Sequence, residues 1–263
     1  GMNKDTHYLP PDNFQQRPFI GFADRTSATN IGFGALAPLC AAYMRLISPA
    51  RALKMLEETL SSIESLEKWH GNLYNWYRIS DLAPMEPKYV SSVDSGNFLC
   101  CLLACRGMLS DMLRHSIMDG RIKEGMRTLL MSIVDEKRME QELYEHLRQY
   151  ESAIAGAEKI SSLCKALRGV IEDGRLDSVK GIKFVRDMYS GFEELYKNLG
   201  IEDACSASLH EISMNPDNYF KDGVSKSRAL DYIARLNAAA AELQARIDNI
   251  IEECEPFRLY DPK

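Results

Sequence analysis

The sequence predicts an all-α protein built from helical hairpins. Three observations carry that reading. Apolar residues recur at three- and four-residue steps over most of the 263 residues, helix-starting and helix-stopping residues stand at the ends of those stretches, and no convincing strand alternation appears. Gly1 ahead of Met2 has the form of a tag remnant and is set aside.

Residues 1–30 are polar and proline-bearing and read as an extended arm lying on the domain. Thr26, Ser27 and Thr29 offer capping hydroxyls before an apolar segment from Ile31 to Ile47, within which Pro38 marks a kink or a late start. Ser48-Pro49 is an N-cap followed by proline at the first helical position. The helix from there sets Leu53, Leu56, Leu60, Ile63 and Leu66 on one face, and Gly71 is expected to close it in the left-handed conformation. A connection follows over residues 71–97, after which Asp94 or Ser95 caps the next helix. Phe98, Leu99, Leu102, Leu103, Leu109 and Leu113 make that helix apolar nearly all round, which predicts a place inside a helical layer. Asp119-Gly120 ends a first block, residues 31–121. The second, residues 122–263, reads as long helices: a charged helical stretch over 122–172 with a break near Gly156, a helix over 176–199 stopped by Gly200, a loop between Pro216 and Gly223, and a last long antiparallel helix over about 225–253. That helix carries Leu230, Ile233, Ala240, Ile247, Ile251 and Cys254 at three- and four-residue steps.

A net charge of -6, with no basic block, argues against nucleic acid as a partner. No apolar run approaches the ~20 residues that span a bilayer, and no leader is visible, so the expectation is a cytoplasmic chain without a membrane segment. The seven cysteines, Cys205 among them, lack zinc-ribbon spacing and read as buried free thiols of a reducing compartment. The histidines have no metal-ligand spacing, and there is no phosphate-cradling glycine loop. No cofactor and no metal is therefore expected.

The richest segment for chemistry is Gly71–Asn97, which packs Tyr74, Asn75, Trp76, Tyr77 and Tyr89 close to Asp94, Ser95 and Asn97. A long connection between helices calls for a reason. One reading is a plug of rings for the domain's own core. The other is a sugar platform, since tyrosine and tryptophan offer a flat face and a polar handle. For Val93-Asp94-Ser95-Gly96-Asn97 the plain reading is a helix cap. The functional one sets Asp94 at the mouth of a helical pocket, as a base or as an acceptor from sugar hydroxyls. Arg25, Thr29 and Asn30 also open a helix, and Arg25 could clamp a carboxylate or a ligand hydroxyl. Glycoside cleavage takes two carboxyl groups, about 5–5.5 Å apart for retention and about 6.5–9.5 Å for inversion. Asp24, Asp81, Glu86 and Asp94 are the acids in these loops, and they form no clean pair.

Three blocks, RTSATNIGFGALAPL (25–39), LEKWHGNLYNWY (66–77) and LAPMEPKYVSSVDSGNF (82–98), resemble in order and spacing the glycoamylase-like transglycosylase region of cyclic β-1,2-glucan synthases, and the FRLYDPK ending (257–263) resembles a later part of it. The resemblance is strong over about residues 12–110. It implies that the helical hairpins form part of an (α/α)6 toroid with a ligand cleft at one end of the ring. It also implies that Arg25, Thr29, Asn30, Tyr74, Asn75, Trp76, Tyr77, Tyr89, Ser95 and Asn97 line the substrate site, with Trp76 and Tyr77 as sugar platforms and Asp94 as the candidate catalytic carboxylate. Ala28 stands where the family usually has proline, and Asn72 where it often has histidine. The family continues past LYDP into the segments that carry its catalytic glutamates.

The expectation is therefore the N-terminal half of such a domain: a carbohydrate-active fragment that binds a β-glucan oligosaccharide but lacks a complete catalytic set. It would be associated with a C-terminal half or with itself, in the cytoplasm or within a membrane-associated synthase. The alternative is a non-catalytic helical interaction or scaffold module. A self-contained glycosidase would require a second inward carboxylate.

Overall fold

The computed structural model describes residues 2–116, 120–135, 139–201 and 207–256. Asp119, Cys205 and the 257–263 ending lie outside the described residues. The fold is all-α, with three two-residue antiparallel ribbons between helices.

The chain forms two compact units. The first comprises Gly1–Leu39, Leu53–Ser110 and Ala239–Lys263, and the second comprises Cys40–Ala52 and Asp111–Ala238. The unit boundaries fall inside helices.

In the first unit the N-terminal segment is more structured than an extended arm. It holds a 3-10 turn at Lys4–Thr6 and a hairpin of β1 (Phe14–Gln15) with β2 (Gly21–Phe22). Helix α1 (Ala28–Tyr43) begins earlier than the apolar segment suggested and runs through Pro38. Its N-cap is Ser27, whose Oγ accepts from the Asn30 N–H at 3.2 Å. Helix α2 (Pro49–Ser65) starts as expected, with the Ser48 Oγ accepting from the Arg51 N–H, and Leu53, Leu56, Leu60, Ile63 and the following Leu66 are buried. Each such aliphatic side chain contributes about 1.5–3 kcal/mol when fully buried.

Gly71 does not close α2. The helix ends at Ser65, and β4 (Lys68–Trp69) turns into β5 (Asn72–Leu73) through His70 and Gly71, both with positive φ (48° and 76°). Successive left-handed residues define the tight hairpin turn that matches strand twist. His70 is thus a turn residue, with Nδ1 3.3 Å from Glu255 Oε2. A third ribbon, β3 (Thr26–Ser27) with β6 (Trp76–Tyr77), was invisible in the sequence because two residues show no alternation.

Helix α3 (Ser92–Asp111) departs from the expected all-round burial. Ser95, Phe98, Cys101, Leu102, Cys105 and Leu109 form one buried stripe, while Val93, Cys100 and Leu103 are exposed. The cysteines of this helix are therefore not uniformly buried. Gly32 of α1 allows the close approach of α3: a Cβ there would lie 3.0 Å from Phe98 Cα. By length and composition alone, Ser92–Arg114 is long and apolar enough to cross a membrane, a test that a core helix also passes.

The second unit stacks α4 (Gly120–Met131), α5 (Gln141–Ala155), α6 (Ile160–Glu172) and α7 (Ile182–Leu199), each against the next. The 122–172 stretch thus breaks twice, after Met131 as well as near Gly156, and a separate 3-10 turn, Gly174–Ser178, precedes α7. Gly200 caps α7 in the left-handed conformation, as its position predicted. A short helix, α8 (Leu209–Met214), and the long α9 (Gly223–Glu253) complete the chain. The buried stripe of α9 is Ala229, Tyr232, Ile233, Leu236, Ala240, Leu243, Ile247 and Ile250; Leu230, Ile251 and Cys254 lie at its flank.

Candidate functional site

The ribbon of β3 with β6 is the frame of the site, which lies wholly in the first unit. Ser27 pairs with Trp76 and Thr26 with Tyr77, so the start of α1 lies alongside the aromatic segment. The chain after Tyr77 doubles back: the Arg78 N–H donates to Ala83 O, the Met85 N–H to Trp76 O and the Asn75 N–H to Tyr89 O, each at 2.8–2.9 Å. Residues 71–97 are thus a hydrogen-bonded fold of chain that delivers Tyr89 and then α3 to the same place.

Ser91, not Asp94 or Ser95, caps α3, its Oγ accepting from the Asp94 N–H at 3.2 Å. The Asp94 side chain is therefore free for other partners, in the first turn of α3, where the helix dipole favours a negative charge. Asp94 Oδ1 accepts from the Thr29 hydroxyl at 2.6 Å, and the Asn97 amide donates to Thr29 Oγ1 at 3.1 Å. The orientation of the Asn75 amide is set by its neighbours. An indole N–H can only donate, so the amide oxygen faces Trp76 Nε1 (2.6 Å) and the Tyr89 hydroxyl (2.5 Å), and its NH2 donates to Asp94 Oδ2 at 3.2 Å. Both Asp94 oxygens are thereby fixed, by groups from α1 and from the aromatic segment.

One edge of the cluster was not foreseen. Asp12 Oδ2 accepts from Arg25 Nε (3.3 Å) and Nη2 (3.1 Å), its Oδ1 accepts from the Asn30 amide (3.1 Å), and its N–H donates to Arg25 O. The Arg25 guanidinium lies 4.5 Å from the centroid of the Trp76 ring. No spacing rule links Asp12 to a partner in a different loop, and an irregular N-terminal segment carries no periodicity to place it.

The structure thus brings together Arg25, Thr29, Asn30, Asn75, Trp76, Tyr89, Asp94 and Asn97, with Asp12 added. It sets three expected residues apart. Tyr77 is wholly buried, its hydroxyl donating to Glu67 O (2.6 Å) and accepting from the Tyr74 N–H (2.8 Å), and burial pushes its phenol well above the ordinary range. It presents no face to solvent, whereas Trp76 is only partly buried. Tyr74 is half-buried and packs towards Tyr77 and the Lys88 ammonium rather than Asp94. Ser95 is buried beneath the cluster, and its Oγ has no partner among the described residues. The other loop acids are held by local donors: Asp24 by the Ser80 N–H and hydroxyl, Asp81 by Arg78 and the Ala83 N–H, and Glu86 by the Lys88 N–H.

Chemically the arrangement is an indole beside a fixed carboxylate, two amides and a phenol. The Trp76 ring is partly buried, and the groups around it are acceptors and donors. No family model matches the chain. Over 107 residues, 41% of its length, it is 44% identical to the cyclic beta-(1,2)-glucan synthase NdvB of Rhizobium meliloti (strain 1021), and it spans only 4% of that protein. Over those residues the chain is related to that glucan synthase.

Proposed function

We propose that the cluster around Asp94 and Trp76 binds a β-1,2-linked glucan, in a region resembling the transglycosylase part of the synthases, and that this chain alone does not cleave the linkage. The observation that carries the reading is the convergence of all three motif blocks at Asp94, which lies in the third: Thr29 and Asn75 each donate to its carboxylate, and Asn97 donates to Thr29. The relation to a glucan synthase supports a glucan as the ligand class. In this reading α1, α2 and α3 are the first helices of an (α/α)6 toroid, a pyranose ring stacks on Trp76, and its hydroxyls donate to Asp94 and exchange hydrogen bonds with Asn97 and Tyr89. Bond cleavage requires a second acid beside Asp94; among the described residues Asp12 is engaged by Arg25 and Asn30, and Asp24, Asp81 and Glu86 by other donors.

Titration with β-1,2-glucan oligosaccharide, followed by tryptophan fluorescence, tests the binding. Wild type is expected to respond at up to millimolar ligand. Asp94→Asn, which keeps the shape and removes the charge, is expected to bind about tenfold or more weakly, since a hydrogen bond to a charged group is worth about 1.5–3 kcal/mol. An unchanged signal in wild type would remove the glucan reading. Turnover of the glucan by the purified chain, lost in Asp94→Asn, would overturn the non-catalytic part.

A further inference from the structure

We propose that Asp12 is the positioning residue of the Trp76 platform: it holds Arg25 against one face of the indole and so leaves the opposite face as the surface on which a sugar ring can stack. This rests on the reading of the cluster as a glucan-binding surface, which it deepens by fixing where on Trp76 the ligand lies.

Trp76 is constrained on three sides. Its backbone is paired with Ser27 in the ribbon, its Nε1–H is held by the Asn75 oxygen at 2.6 Å, and the Arg25 guanidinium covers one face at 4.5 Å. The first two constraints fix the plane of the ring. Of the three, it is the third that distinguishes one face of the ring from the other. Arg25 is a long side chain, 46% exposed, and such a chain samples many rotamers unless something restrains it. The restraint is Asp12, a carboxylate only 21% exposed that takes two guanidinium nitrogens on one oxygen. Asp12 is itself anchored: its other oxygen accepts from Asn30, the Asn13 amide donates to Oδ2 at 3.0 Å, and its N–H is bonded to Arg25 O. The ion pair uses Nε and Nη2, while the guanidinium carbon lies over the ring. A stacked guanidinium is planar and matches the indole face in a way that an ammonium does not. A mobile Arg25 would compete for either face, so holding it decides both the access to the platform and the side from which the glucan approaches.

The test uses the intact chain with Trp69→Phe, so that Trp76 is the sole remaining tryptophan of two. In the free protein, Asp12→Asn and Arg25→Lys are each expected to raise acrylamide quenching of Trp76 about twofold, as a half-covered ring opens its second face. Asp12→Glu, which keeps the charge, is expected to stay near the parent value. In glucan titrations the first two variants should bind about five- to tenfold more weakly, and Asp12→Glu should recover most of the affinity. Quenching unchanged in both Asp12→Asn and Arg25→Lys overturns the positioning role. Increased quenching with unchanged glucan affinity overturns its connection to binding. A parent chain that shows no glucan response leaves the quenching comparison intact, so failure of the ligand reading is distinguishable from failure of this one.

Discussion

Asp173, in the second unit, is a heavily engaged carboxylate. Its Oδ1 accepts from the Arg175 N–H and Nε, both at 3.0 Å, and its Oδ2 accepts from Arg175 Nη2 and the Tyr150 hydroxyl, both at 2.9 Å, and faces His146 Nε2. Arg175 first, then His146 and Tyr150, hold the carboxyl well below the usual carboxylate range despite its burial. A folded-state pKa depressed below the unfolded value of ~3.9 contributes stability that is present above about pH 4 and is lost as pH falls through the folded value. The urea midpoint of wild type is therefore expected to fall between about pH 4 and pH 2, and Asp173→Asn to be less stable at pH 7 with a flatter slope in that window. Equal slopes in the two proteins would show that other carboxylates set the acid limit. The same scale separates what the sequence could and could not say about the site. The amide and carboxylate types in the aromatic segment were legible as polar groups suited to a sugar, whereas Thr29 and Asn30 read by themselves as the start of a helix and entered the site only through the resemblance. Which aromatic would be open was not: Tyr77 and Trp76 are adjacent, and strand pairing turns adjacent side chains to opposite sides, one into the core and one to the edge. Asp94 was legible as a helix-start residue, but the cap went to Ser91, three positions earlier, and that shift left the Asp94 carboxylate available to Thr29 and Asn75.

At the scale of elements, the long helices were readable because their apolar stripes repeat over many turns, and the ribbons were not because two residues carry no period. The turn at Gly71 shows the consequence. A left-handed glycine was expected there from its place after a helical stretch, and the left-handed conformation is present, but it serves the hairpin of β4 with β5. The turn is also closed from outside. The Glu255 N–H donates to His70 O at 3.1 Å, the Asn72 amide donates to Glu255 O at 3.0 Å, and a Cβ on Gly71 would fall 1.9 Å from Glu253 O. Gly71→Ala therefore carries two penalties: about 1–2 kcal/mol for the left-handed backbone and a further cost to move the end of α9 away. We expect a loss of at least about 2 kcal/mol in unfolding free energy by denaturant titration. Gly96→Ala on the open side of α3, where a Cβ meets nothing within 4 Å, should stay close to wild type or gain, since alanine is the better helix former. Equal effects at the two positions would mean that the contact with α9 does not hold the turn.

At the scale of the whole chain, the first unit is discontinuous: its early helices and motif blocks are completed by residues from 239 onward, after a long excursion through the second unit. A local reading of residues 12–110 has no access to that dependence, because the partners are well over a hundred residues apart in sequence. The contacts that make it are specific. Arg246 clamps Glu64 through Nε (2.8 Å) and Nη2 (2.7 Å), Asp248 pairs with Arg106 at 3.1 Å, and Leu243, Ile247 and Ile250 are buried. The three aliphatic side chains alone contribute about 1.5–3 kcal/mol each, which together is comparable with the ~5–15 kcal/mol net stability of a typical protein. A chain truncated after Ala238 is therefore expected to lose the site although every residue of the three motif blocks remains. Its Trp76 emission, read in a Trp69→Phe background, should shift to the wavelength of an exposed indole, and its response to glucan should disappear. Charge reversal gives a milder version: Arg246→Glu should lower the thermal midpoint, and Arg246→Glu with Glu64→Arg should recover part of the loss, since the paired geometry is restored with opposite sign. If the truncated chain kept the native Trp76 emission, residues 1–238 would sustain the site without the C-terminal turns of α9, and the recurrence of unit-one contacts after residue 239 would be incidental to the proposed binding surface.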